Sequence, residues 1–598
     1  MDTLMPYVFD RLRTEATDLI AVTGLVAPES VLLTEPKANV PADLAFPVFA
    51  SAKVAGVSPN DFAKRLAEAV ALSPESLFSR VEPAGGFVNF SVRPDIFASA
   101  VLADVAARGD AYGEDKSVGK GETTIVEYSS PNIARKMHVG HLRSTVIGHS
   151  IYKILKALGY NVVGDNHLGD WGTQFGTLLA ALDADKREPW NEPDPVQSLV
   201  EIYGEFNKAA KTDPALMDTA RAWFNKLERG DPWARQTWQR LIDITMAEFE
   251  RTYKRFDVVF DTQHGESFYE PMLDAVVDEA VAKGVAKVEE GGAVAVYFDD
   301  ALPSCLLRKT DGATLYQTRD AATCLYRWQN YAPARNIYVV GAEQKLHFQQ
   351  VFETVRRMGY TEIADRSVHI SFGTVWALKR NENGNLHLDE NGKPKRVKFS
   401  MREGNVVFLN QVLDEAIERS TVKVREQIAS GNSEATEEEI QGIAEIVGIG
   451  TVIYADLYQG PERDIDFDWA KLLSNEGNTC VYLQYMYARC RSIQRKAPAG
   501  LPTADPSILT APEEQTLLKQ LARMPNAVRD AGEKFLPATV AEWTYTLAKE
   551  FSRFYDKCPV LTAETDELKA ARLALVAATA QGLKNGLALL GIGVPERM

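Results

Sequence analysis

Two imidazoles, His138 and His141, stand three residues apart around Gly140 in VEYSSPNIARKMHVGHLRST, Val126 to Thr145. The stretch opens on a short β-branched strand pattern, TTIVEY, and runs into a long helical pattern that ends at Gly159. Both rings therefore sit at a helix start, where unpaired backbone N–H groups and the helix dipole favour an anion. Such a pair suits a phosphate that gains charge in a transition state. Gly140 lets the backbone approach a flat ring such as adenine. A metal pair is the rival reading, but the glutamate and four-residue spacing of a zinc-protease helix are missing. The plain alternative is two histidines at an ordinary helix start. A second candidate is VKFSMREGN, Val397 to Asn405, where Lys398 supplies a cation and Ser400 lies in a loop able to move. Alone, it reads equally well as a solvated basic loop.

The elements that must hold these residues follow from the patterning. Tyr160 to Gly164 is a second apolar strand, followed by the glycine-punctuated DNHLGDWGTQFG. Strand, helix, strand is the unit of a parallel sheet, whose ligands bind at the loops after the strands. Strand-like pieces return at 293–298, 337–340 and 368–372, and residues 181–256 read as a helical insertion. Before the strand, Ser58-Pro59-Asn60-Asp61 starts a helix with a buried stripe of Phe62, Leu66 and Val70. GGFVNFSV reads as a turn and an alternating strand. RGDAYGEDKSVGKGE, Arg108 to Glu122, has a linker's glycine and charge content. From Asn478 onward the chain is helical.

Composition bounds the class. At 598 residues the length prior is about four domains. No uncharged apolar run approaches the roughly 18 residues of a membrane span. Asp2, Asp10 and Arg11 stand where a signal peptide needs apolar residues. The five cysteines show no CxxC spacing, so reduced thiols and a cytoplasmic protein without a metal of its own are expected. The net charge of −16 excludes a nonspecific polyanion binder. A nucleic-acid partner must then be held at a few local basic surfaces.

HVGH with VKFSMREGN resembles the paired HIGH and KMSKS motifs of class I aminoacyl-tRNA synthetases. SSPNIARKMHVGHLRST, LGDWGTQFG, LYQTRDAAT, YVVGAEQKLHFQQVF, LQYMYARCRSI and LLGIGVPERM resemble the arginyl-tRNA synthetase family in particular, over nearly the whole chain. The resemblance implies an α/β fold: a Rossmann-type class I synthetase catalytic domain with an N-terminal α+β domain and a C-terminal all-α anticodon-binding domain. The expected bounds are 1–115 for an N-terminal domain contacting the tRNA elbow and 120–410 for the catalytic domain, with its insertion at about 183–256. A connecting helical segment spans 411–477, and the anticodon-binding domain spans 478–598. The implied reaction is ATP-dependent activation of L-arginine and its transfer to the 3′ end of tRNA(Arg), releasing AMP and pyrophosphate. Magnesium accompanies ATP, and a monomer without a membrane partner is expected.

The family's arginine-binding positions fall on Glu127, Asn132, Tyr316, Asp320 and Gln344. A planar, permanently charged guanidinium asks for carboxylates that accept its fork of donors. Such a polar pocket rejects analogues lacking those donors by about 10⁴-fold, so no editing site is expected. By resemblance His138, Gly140, His141, Lys398 and Ser400 face ATP. Met401 replaces the second KMSKS lysine. The family's substitute lysine before HIGH falls on Arg135, with Lys136 after it in place of proline, and either cation could reach the phosphates. In the expected helix Val481–Ala497, Arg489, Arg491, Arg495 and Lys496 follow three tyrosines, a pattern suited to splayed bases. It also fits a helix with a tyrosine core face and a solvated basic face. Two other readings remain: a non-catalytic synthetase-like RNA-binding protein, and a synthetase for another amino acid.

Overall fold

Four parallel strands lie at the centre of the computed structural model, in the order Ser367–Phe372, Arg335–Gly341, Thr123–Glu127 and Asn161–Asp165. The structure describes residues 5–37, 40–299, 301–378, 387–398, 408–430, 435–474 and 476–598. The two central strands, Thr123–Glu127 and Arg335–Gly341, are almost wholly buried, as a parallel sheet covered by helices requires, while the edge strand Ser367–Phe372 is half-buried. Helix Val139–Ala157 makes the crossover between the two strands that carry Glu127 and Asp165. It packs so closely that a Cβ on Gly148 would lie 2.1 Å from the Cβ of Tyr128.

A smaller sheet flanks this one. Val375–Leu378 pairs antiparallel with Arg396–Lys398 and parallel with Ile465–Phe467. Two connecting helices follow, Leu409–Ser430 and Glu437–Leu457, the second opened by a Thr436–Glu439 capping box. At 21 residues and a mean hydropathy of 1.4, Glu437–Leu457 is long and apolar enough to cross a membrane, yet 72% of that window is buried in the fold. The insertion consists of helices Pro195–Ala210, Ala215–Glu228 and Pro232–Arg255.

The N-terminal unit pairs Leu44–Pro47 and Phe78–Ala84 with Phe87–Val92, all antiparallel. Ser58 caps its helix by accepting from Asp61 N–H, as the sequence predicts. That helix ends at Ala69, so Val70 is its half-buried C-cap rather than part of the stripe. The expected linker behaves differently. Tyr112 is buried and its hydroxyl donates to Leu521 O at 2.9 Å. Asp115 and Asp10 both clasp Arg529, and Asn585 donates to the carbonyls of Gly109 and Tyr112. Glycines and charges make this segment turn sharply, but they mark a seam against the C-terminal bundle.

That bundle contains Cys480–Arg495, Pro512–Ala522, Met524–Lys534, Ala538–Lys557 and Asp566–Leu589. All five cysteines are buried thiols.

Candidate active site

The carboxyl end of strand Thr123–Glu127 runs into a loop with three non-glycine residues at positive φ: Ser129 at 72°, Ser130 at 49° and Ala134 at 61°. Such conformations cost energy and persist only where neighbours over-determine them. Here Ser129 N–H donates to Ser144 Oγ, Ser130 N–H to Asn166 Oδ1, and Ala134 N–H to Thr245 Oγ1. Asn132 bridges to Gly169, where a Cβ would stand 2.1 Å from the Asn132 side-chain oxygen. The glycine of LGDWG is thus required by close approach, and this motif forms one wall of the loop.

The loop delivers His138 as the N-cap of helix Val139–Ala157. His138 Nδ1 accepts from Gly140 N–H at 3.0 Å, and His141 Nδ1 accepts from His138 N–H at 3.1 Å. The ring centroids are 4.0 Å apart. Gly140 is needed for the His138 ring itself, since a Cβ there would lie 2.7 Å from it. Burial, then the Arg135 cation, lowers His138; burial and the neighbouring His138 hold His141 down to about 3, although the residue keeps partial exposure. Both rings are therefore neutral at pH 7. With each Nδ1 accepting a backbone hydrogen bond, this network assigns the ring proton to Nε2. The site offers two pre-oriented N–H donors.

The two candidate cations before HVGH differ. Lys136 pairs with Asp194 of the insertion, 5.3 Å from the Phe408 ring centroid. Arg135 lies 5.6 Å over Tyr203 and is the cation felt by both histidines. Phe408 bridges antiparallel to His138, and Leu409 N–H donates to Met137 O. The Lys398 side chain and all of Ser400 lie outside the described residues.

Behind the loop is a buried charge cluster. Arg327 Nη2 donates to Glu127 and Asp165 at 2.7 Å each, and Nη1 to Asn336 Oδ1 at 3.2 Å. Burial raises Glu127 despite Arg327 and His167. Burial also opposes the charge on Asp165, but Arg327, Thr262 and His167 outweigh it and hold that carboxyl below the usual range. Burial likewise opposes a charge on His167, yet Glu127, Asp320 and Asp165 raise it. Nearby, burial pushes Glu266 up to about 7 against the pull of Arg319 and His167. Glu127, Asp165 and His167 have ligand atoms within 4.8 Å of one another, a spacing that could hold a metal. The Arg327 guanidinium already bridges both carboxylates, which makes this a cation site filled from within.

Asp320 and Tyr316 lie one turn apart on helix Tyr316–Tyr331. Asp320 pairs with His347, whose ring centroid is 4.9 Å from that of Tyr316. Tyr316 is half exposed, and Asn132 and Gln344 are exposed. Glu127 is the deepest of the five and already carries an internal arginine. The sequence reading missed Arg327, Asp165, His167, Glu266 and His347. One signal was available: Arg327 follows Tyr316 by eleven residues and Asp320 by seven, which places all three on one helix face.

The basic helix lies far along the chain. Arg489 sits between Tyr485 and Tyr555, 4.8 and 4.9 Å from their ring centroids. Arg491 and Tyr487 both hold the Glu596 carboxylate, and Arg495 donates to Glu596 O. Lys496 is the exposed C-cap. Tyr487 is buried, so only Tyr482 and Tyr485 of that trio keep partial exposure.

Three family models match in the order of these units: the arginyl tRNA synthetase N-terminal domain over 11–92, the class I (R) tRNA synthetase catalytic domain over 103–469, and the DALR anticodon-binding domain over 483–598. An arginine–tRNA ligase of Chloroflexus aggregans is 47% identical over 598 residues, covering 99% of this chain and 100% of its own. The chain belongs to the arginine–tRNA ligase family. A Clostridium perfringens arginine–tRNA ligase is 42% identical over 93% of this chain and 94% of its own. The fold is also that of the solved Thermus thermophilus arginyl-tRNA synthetase, with a TM-score of 0.77 at 24% identity over 98% of this chain and all of that one. The Plasmodium falciparum arginyl-tRNA synthetase gives a TM-score of 0.77 at 23% identity over the full length of both. The class I catalytic domain with parallel strands, the N-terminal domain and the helical C-terminal domain are thus the architecture of an arginine–tRNA ligase.

Proposed function

We propose that this arginine–tRNA ligase assembles its reaction around the carboxyl edge of the central sheet, with the neutral His138–His141 pair as donors to the ATP phosphates. The reaction of its family is ATP-dependent joining of L-arginine to tRNA(Arg). The arginine carboxylate attacks the α-phosphorus of ATP, and the bond to the bridging oxygen breaks to release pyrophosphate. A terminal ribose hydroxyl of the tRNA then attacks the adenylate carbonyl, and AMP leaves. Neither step needs a protein nucleophile.

The observation that carries the reading of the site is the geometry of the two imidazoles: both Nδ1 atoms accept backbone hydrogen bonds, which leaves both Nε2–H groups available as donors at a helix start. Neutral donors there stabilise charge developing on the phosphates without a competing counter-ion of their own. In this reading Lys398 and Arg135 add positive charge at the phosphates. Arg135 is preferred to Lys136 because Asp194 already occupies Lys136. Magnesium arrives with ATP as part of the substrate.

In this reading Asp320, Tyr316 and Glu127 face the substrate guanidinium, with Asn132 and Gln344 at its amino end. Arg489, Arg491, Arg495 and Lys496 contact tRNA, residues 1–115 meet the tRNA elbow, and residues 478–598 form the anticodon-binding domain. Residues 120–410 are the catalytic domain, with the insertion at about 183–256, and 411–477 connect it to the bundle. The protein works as a monomer in the cytoplasm.

The test is ATP–pyrophosphate exchange with each of the twenty amino acids, with and without total tRNA. Exchange with arginine and no other amino acid is expected, and only when tRNA is added; exchange with arginine in both conditions keeps the enzyme and removes the tRNA requirement that the family resemblance implies. Loss of exchange in H138A and H141A, at unchanged melting temperature, supports the donor pair; wild-type exchange in both variants overturns it.

A further inference from the structure

Between the HVGH helix and the strand bearing Lys398 runs a chain of polar contacts that the reaction described above does not use. It begins at Arg143, five residues after His138 and buried. Its Nε donates to both oxygens of the buried Asp456 at 3.2 Å, Nη1 to Arg463 O at 2.8 Å, and Nη2 to Pro461 O at 3.0 Å. A buried ion pair is poor value for stability, since apolar residues of similar volume often do as well. What apolar residues cannot do is grip two carbonyls of a loop at fixed distances.

The next residue of that loop is Asp464. Its Oδ1 accepts from Thr374 N–H at 2.8 Å, and its Oδ2 from the Trp376 indole at 2.9 Å. Oδ2 also stands 3.5 Å from Arg396 Nη1, and Arg396 is held on its other side by Asp466 at 2.7 Å. Trp376 is the register partner of Lys398, and Arg396 lies two residues before it. A Cβ on Gly373 would come within 2.7 Å of Asp464 Oδ1, so the carboxylate sits tight against this backbone. The Asp464–Arg396 pair alone would be a weak surface ion pair. The bonds to a backbone N–H and an indole are directional and place the carboxylate against the strand end.

We propose that Asp464 is a positioning residue for adenylate formation, the middle of a brace that sets strand Arg396–Lys398 relative to the histidine pair through Arg143. The proposal rests on reading Lys398 as an ATP-side cation. A displacement of about 1 Å at a reacting group can cost up to about 100-fold in rate, so a brace of this kind acts on the reaction more than on the fold.

The experiment is arginine-dependent ATP–pyrophosphate exchange by the full chain as D464A, D464N, R396A, K398A and D464A/K398A. Asp464 and Arg396 are 37% and 44% exposed, so these variants fold, and thermal melts check it. Expected in D464A and R396A is a fall of about tenfold in kcat/KM for ATP, with KM for arginine and the melting temperature unchanged. D464N, which keeps its acceptor oxygen, recovers part of the loss. In the K398A background D464A adds nothing, because both act through the same group. A silent D464A overturns the brace whatever K398A does. Equal shifts in the KM values for ATP and arginine, with a lowered melting temperature, also overturn it by reducing Asp464 to a fold residue. An active K398A with a defective D464A overturns Lys398 as the endpoint and separates the failure of that reading from failure of the brace.

Discussion

The charges around Arg327 and those along helix Cys480–Arg495 are held in opposite ways. Arg327, Glu127 and Asp165 are buried and bonded to one another at 2.7 Å. Arg491 and Glu596 meet at a similar 2.8 Å, but 39% and 60% exposed. In the first region each charge depends on its partner because water is excluded. In the second, water and salt compete with every pair. The inner cluster is therefore a fixed shape, while the outer helix offers cations that can exchange one anion for another. In the proposed function arginine selection uses the first and tRNA the second.

The largest expected effect breaks the inner cluster. Arg327→Met leaves two buried carboxylates without their cation and should cost about 3–5 kcal/mol of stability at pH 7.5. The loss should shrink at pH 5. Arg327 is the main charge opposing burial at both Glu127 and Asp165, so without it both carboxyls rise, and the variant regains stability as they protonate at low pH. Denaturant melts at the two pH values check this; a variant within 1 kcal/mol of wild type at pH 7.5 removes the distinction between the regions.

Next is a buried titratable group without a partner. Burial holds His149 down to about 3, and its Nε2 has no hydrogen bond. Below about pH 6 the unfolded chain binds a proton that the folded chain refuses, so stability falls by up to about 1.4 kcal/mol per pH unit toward the folded value. His149→Leu should flatten the pH dependence of the melting temperature between pH 6 and 4. An unchanged slope would assign the acid sensitivity elsewhere.

Third, burial pushes Glu266 up to about 7 against the pull of Arg319 and His167, with Asp320 nearby. Its carboxylate favours a cationic substrate and its protonated form does not. KM for arginine should therefore rise severalfold, up to about tenfold, as pH falls from 8 to 6. In E266Q, KM should be higher and flat across that range; a parallel rise in E266Q would show that another group titrates.

The smallest effect belongs to the surface. Glu596→Gln should change stability by no more than about 1 kcal/mol. It frees Arg491 and should lower KM for tRNA at low salt, an advantage that fades as salt rises. A tRNA KM that rises instead would make Glu596 an organiser of the helix rather than a competitor for its cations.

Much of the sheet was readable from the chain: Thr123–Glu127, Asn161–Asp165 and Ser367–Phe372 lie within a residue or two of the expected strands. Val-rich runs bounded by glycine and polar turns leave few alternatives. The linker at Arg108–Glu122 was not readable in its role, because composition records that a segment can turn and not what it turns against. Tyr112 was the one clue to burial. Of the site, HVGH announced itself through local spacing. Arg327 did not, since its partners lie 200 and 162 residues away in sequence.

By itself the sequence determined the family, the order of the units and the histidine pair at a helix start, because each is encoded in contiguous residues. The tertiary structure alone decided which charges neutralise one another: Arg327 with Glu127 and Asp165, Lys136 with Asp194, Arg143 with Asp456. It also decided that both imidazoles are neutral, by burying them. Ion pairing and proton position depend on distance and dielectric, and both are set only when distant segments are brought together and water is removed from between them.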